Sequence, residues 1–145
     1  MVTDLLLKIA LEAEPVLCGK LARYNFGDGL APAIFTGDVA PRDAGAPFLL
    51  ITVENGKENS GGQGFDEYEV LLNVTLWGDK ASEEALRLIA FEFFALFHHS
   101  IQGSPRRIDA DGLVVWFFCS YPESVKDVDG FPGYQFNMRA SALVS

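Results

Sequence analysis

The chain has 145 residues, a formal net charge of -9 and a pI near 4.5, a size that suits one domain burying roughly 70% of its unfolded surface. Hydrophobic residues at 49% and charged residues at 21% exclude disorder, collagen-like repeats and coiled coil, and the acidic balance excludes the basic footprint of a tight nucleic-acid binder. Cys18 and Cys119 are far apart and outside any C-x-x-C spacing, which signals neither a disulfide framework nor a zinc site and reads as two buried free thiols.

In chain order, Thr3 or Asp4 caps a first helix running towards Glu14, with Leu5, Ile9 and Ala13 at helical spacing. Pro15 starts a second short turn through Leu21. The stretch before them has no basic leader, and no segment reaches the roughly 20 uncharged apolar residues that span a bilayer. The expectation is a protein made and kept in the cytoplasm, with no membrane partner. From Asn25 to Pro47 glycines and prolines dominate, and the text reads as a long ordered connection around an apolar island at Ala33-Ile34-Phe35.

Phe48 to Val53 is a short run of strand formers, and Tyr68, Val70, Leu72, Val74 and Leu76 alternate with polar residues up to Trp77. The two predict a hairpin, joined by a polar glycine-rich loop from Glu54 to Gly64 that suits a mobile or partner-ordered arm. Gly61, Gly62 and Gly64 are its candidate contact residues. A long helix over about 81 to 99 follows, with Glu83 and Glu84 in its first turn and His98 and His99 at its far end, as the helix dipole favours. Leu86, Ile89, Ala90, Phe93, Phe94, Leu96 and Phe97 form its apolar face, while Leu88 and Phe91 fall among the charges. These two are candidates for a subunit contact; the plainer reading covers them with a neighbouring loop. The 12 Phe also exceed what one small core readily hides.

Ser100 to Gly112 reads as a loop carrying Arg106 and Arg107, candidates for gripping an acidic partner or a backbone phosphate. Leu113 to Tyr121 is apolar on both faces, as in a central strand, and Tyr134 to Ala142 alternates as a half-exposed one. The fold class expected is therefore α+β: a mostly antiparallel four-stranded sheet with the long helix and the N-terminal helix packed on one face, in a single domain over 1–145.

No catalytic, cofactor-binding or metal residue is assigned. Asp109-Ala110-Asp111-Gly112 and Asp127-Val128-Asp129-Gly130 resemble the start of a calcium loop but lack its third acidic ligand and closing Glu, so both read as turns. Adjacent His98 and His99 point about 100° apart on a helix, and Gly61-Gly62-Gln63-Gly64 lacks the Lys-Ser/Thr of a phosphate loop. A dispersed catalytic triad leaves no local signature.

The whole layout resembles the small phage tail-completion or tail-terminator proteins, found also in prophages and gene-transfer-agent-like particles. The carriers are Leu5 to Leu11, Ile34 to Pro41 leading into Phe48, the block Val70-Leu71-Leu72-Asn73-Val74-Thr75-Leu76-Trp77 followed by Ala81 to Ala85, and the closing Tyr134 to Arg139. The resemblance implies a virion protein that is not an enzyme. On that resemblance it would form a homo-oligomeric ring, a hexamer, that caps the tail tube protein at the head-proximal end, stops its growth and meets the head-tail connector. DNA would pass through the lumen, where an acidic wall would not hold it. Another connector, stopper or minor tail protein, a small-ligand-binding domain or enzyme, and an adaptor binding peptides by strand addition at Tyr134–Val144 are the alternatives.

Overall fold

Two stretches of strict alternation build the centre of the structure, a computed structural model that describes residues 3–60, 66–98, 106–110 and 113–144. The elements are α1 (Thr3–Glu12), α2 (Pro15–Lys20), β1 (Arg23–Asn25), β2 (Leu30–Pro32), β3 (Ile34–Thr36), β4 (Phe48–Ser60), β5 (Asp66–Trp77), α3 (Glu83–Phe97), β6 (Arg106–Ala110), β7 (Leu113–Cys119), β8 (Glu123–Lys126) and β9 (Pro132–Val144). Along β5, Val70, Leu72, Val74 and Leu76 are buried; along β9, Phe136, Met138, Ala140 and Ala142 are. The strands pair antiparallel from Glu67↔Leu143 to Trp77↔Gly133, so these two apolar rows share one face.

The sheet that grows from this pair is not the four-stranded, mostly antiparallel one expected. It has seven strands in the order β3-β4-β5-β9-β7-β6, with β8 also on β9, and it curls into a half-barrel. It is mixed, because β3 runs parallel to β4 through Ile34↔Leu49 to Thr36↔Ile51. β1 and β2 form a separate two-stranded sheet. The three unexpected strands of the main sheet are edge pieces of three to five residues, too short to carry a period. β3 is the Ala33-Ile34-Phe35 island of the glycine-rich connection, and β6 occupies what reads in sequence as loop.

β7 and β8 are one strand interrupted by a bulge. Cys119 pairs with Met138 and Glu123 with Gln135, so three residues on one side face two on the other. Ser120 fills the irregularity: its N–H donates to the Asn137 carbonyl at 2.9 Å, and its hydroxyl accepts from the Asn137 N–H at 3.0 Å. A second bulge at Glu54 shifts the β4–β5 register.

The helices cover the sheet face carrying these rows. Leu86, Ile89, Ala90, Phe93, Phe94 and Phe97 of α3 are buried, and the Phe93 ring meets Phe136 tilted by 45° at 4.5 Å between ring centroids. On α1 the buried pair is Leu7 and Leu11, both fully enclosed, whereas Leu5 and Ile9 face outward at 46% and 61% exposure. Both pairs have the i, i+4 spacing of a core stripe; packing chose the one the periodicity did not single out.

Candidate interaction surfaces

Leu88 and Phe91 stand one turn apart on α3 and are 62% and 63% exposed, so no loop among the described residues covers them. Next to Phe91, Glu92 forms an ion pair with Lys20 of α2 at 3.3 Å. One turn before Lys20 lies Val16, 59% exposed. The ion pair thus joins two helices that each present an apolar side chain to solvent beside it, and α1, packed on α2, adds Leu5 and Ile9. The periodicity places Leu5 and Ile9 on the stripe of the first helix, not on a contact surface, and does not single out Val16. Their signal was a second apolar stripe on short helices whose core stripe is already complete.

Arg106 and Arg107 are not in a solvated loop but on edge strand β6, where alternation sends them to opposite faces. Arg106 turns to the helical layer. It donates to the Glu14 carboxylate and, at 3.4 Å, to the Leu96 carbonyl, and it lies over the Phe97 ring at 5.4 Å. Its charge is committed within the molecule. Arg107 is exposed, forks onto Asp109 at 2.8 and 3.2 Å and lies over Trp116. That pairing holds the Asp109 carboxyl below its usual range. Gly61, Gly62 and Gly64 lie outside the described residues, so the structure brings Leu88 and Phe91 together and joins neither to the arginines.

The sheet face opposite the helices is different in character. Its middle is polar, with Thr52, Asn73 and Asn137 in register across β4, β5 and β9, and Asn73 Oδ1 is the one buried side-chain oxygen without a partner among the described residues. On its β7 flank, Arg139 covers Phe118 at 4.4 Å as Arg107 covers Trp116. These rings are shielded in a way that Leu88 and Phe91 are not.

At one end of this face is a cavity of about 670 Å³, which periodicity did not point to. Phe48 and Trp77 are register partners on its floor, and the turn after β8 forms one wall. In that turn Asp127 Oδ1 accepts from the N–H groups of Asp129 and Phe131, and Gly130 takes φ 83°. The turn reading of Asp127 to Gly130 is therefore correct.

Neither thiol is poised for chemistry. Burial pushes Cys119 up to about 12, and burial, with Glu12 next, raises Cys18, whose Sγ donates to the Leu11 carbonyl at 3.1 Å. His98 does not lie in a helical last turn on the surface. It is the C-cap residue of α3, buried, and stacked on Phe94 at 4.3 Å. Among the described residues no three His, Cys, Asp or Glu side chains group as metal ligands, and no helix is long and apolar enough to cross a membrane. Set against known proteins, the chain matches no family model and no curated sequence.

Proposed function

We propose that the chain is an assembly subunit that forms a closed ring of identical copies and caps a phage-type tail tube, joining it to the head connector. The observation that carries the assembly is the apolar surface of the helical layer: Phe91, Leu88, Val16 and Ile9, each about three-fifths exposed, on three adjoining helices. Exposed apolar side chains set among charges are what a subunit contact uses, and a ring needs two unlike patches on each copy. The tail-terminator identity rests on the layout resemblance, whose carriers fall on α1, β3, β4, β5, α3 and β9. An end cap works without bond chemistry. It binds the last ring of the tube through one surface and offers no equivalent surface for another copy.

The test is molar mass in solution by light scattering across a wide concentration range, with and without tail tube protein. Rings, alone or on adding tube protein, are the expected result. Phe91→Asp should shift the equilibrium to monomer while changing the unfolding free energy by less than about 0.5 kcal/mol, as at other exposed sites. A wild-type chain that stays monomeric and ignores tube protein would overturn the reading.

A further inference from the structure

Strand β6 closes one side of the main sheet, and among the described residues its only strand partner is β7. Its outer row of N–H and C=O groups is therefore open, the condition in which one strand templates the addition of another. The other open stretches of the main sheet suit that less. β3 has three residues, and the part of β4 beyond β3 is broken by the bulge at Glu54. β8 has four residues and carries its charges, Glu123 and Lys126, on opposite faces.

β6 runs from Arg106 to Ala110 with Ile108 at its centre. Alternation puts Arg107 and Asp109 on the open face of the sheet, 55% and 60% exposed, and turns Ile108 to the helical side, partly buried against the core. The strand is its own complement. A second copy turned half a turn about an axis normal to the sheet lays its β6 antiparallel on the first, with Ile108 opposite Ile108 and Arg107 opposite Asp109 at both corners. Every residue of the strand then has a partner, and the helical layers of both copies stay on one side of the joined sheet.

The existing pair does not exhaust these charges. Arg107 gives Asp109 one N–H from Nε and one from Nη2, at 2.8 and 3.2 Å, and its Nη1 donates to no described residue. Each Asp109 oxygen accepts a single bond from Arg107 and keeps a lone pair open. Trp116 backs the guanidinium at 5.6 Å and holds it at this face. Around the two-fold axis arginine and aspartate alternate, so each charge meets the opposite sign both along its own strand and across the junction.

We infer that β6 pairs antiparallel with β6 of a second copy of this chain, the Arg107–Asp109 pairs facing each other across a two-fold axis. What selects the occupant is the charge order of the strand: a foreign strand would have to set an acid opposite Arg107 and a base opposite Asp109 at the same spacing. The contact is isologous, so it is separate from the unlike patches that close a ring and stands whether or not the protein forms one. A strand of five residues buries little surface, so the association is weak.

The experiment is sedimentation equilibrium of the Phe91→Asp protein, in which the helical contact is removed, at concentrations up to about 1 mM. Dimers are the expected species. Adding Arg107→Asp, or Asp109→Arg, sets like charges opposite each other at both corners and should weaken dimerisation about tenfold, with the thermal midpoint unchanged. An equal mixture of these two variants should recover it, because each offers the charges that the other lacks. Loss of the exposed in-strand pair alone would not be undone by mixing. A Phe91→Asp protein that stays monomeric at about 1 mM overturns the pairing of β6 and leaves the ring reading untouched. Single variants that dimerise as the Phe91→Asp protein does, or a mixture that associates no better than its parts, overturn it as well.

Discussion

At the residue scale, two positions show how tightly the interior constrains the chain. Gly133 is required not by its backbone angle but by proximity, since a Cβ there would meet the Trp77 ring at 2.6 Å and the Leu76 carbonyl at 2.9 Å. Gly133→Ala should therefore destabilise by about 1–3 kcal/mol in chemical denaturation; a loss under about 0.5 kcal/mol would refute the close packing. Cys119 has a folded-state pKa raised by burial to about 12, so the neutral thiol is the form the fold favours. Its contribution is complete below the ordinary thiol value of about 8.5–9 and is lost as pH rises from there towards 12. The wild type should lose thermal stability over that window more steeply than Cys119→Val, and a thiol reagent at pH 7 should leave Cys119 unmodified in the folded protein. Matching slopes, or fast labelling, would show the thiol to be open to solvent.

At the element scale, the Glu14–Arg106 ion pair spans 92 residues of sequence to tie the start of α2 to edge strand β6. Both side chains are less than a third exposed, so removing one leaves the other partly buried without its counter-charge. Arg106→Met keeps the aliphatic stem against Phe97 and should cost about 1–2 kcal/mol, with amide hydrogen exchange accelerating first along β6. Unchanged exchange there would show that pairing with β7 alone holds the edge. What was legible in the sequence follows element length: β5, α3 and β9 repeat their periods often enough to be read, and β4 and β7 show as continuous apolar runs, although β4 and β5 extend further into the arm than the run of strand formers indicated. The edge strands β3, β6 and β8 were not legible, because three to five residues hold barely two cycles of alternation and what makes them strands is the partner beside them. That same deficit turned a seven-stranded mixed sheet into an expected four-stranded antiparallel one.

At the scale of the whole molecule, the helical surface was half legible. Leu88 and Phe91 stood out because charge surrounds them on the wheel, while Leu5 and Ile9 sat on the periodic stripe of the first helix and Val16 carried no signal, until Leu7, Leu11 and Leu17 took the interior. The end cavity was not legible at all, since β4, β5, the 38–46 loop and the turn after β8 meet there only once the sheet has formed. The order of that sheet also shapes how the chain comes off the ribosome. β9 lies between β5 on one side and β7 with β8 on the other, yet it follows all of them in sequence. During synthesis β5 and β7 therefore present bare hydrogen-bonding edges and apolar rows such as Val70–Leu76 and Val115–Phe117 until the last strand emerges to sit between them. Productive folding waits on the slowest kind of contact, a distant one, and a nascent chain stalled before residue 132 is the form most open to chaperone capture or to pairing with a stranger's strand.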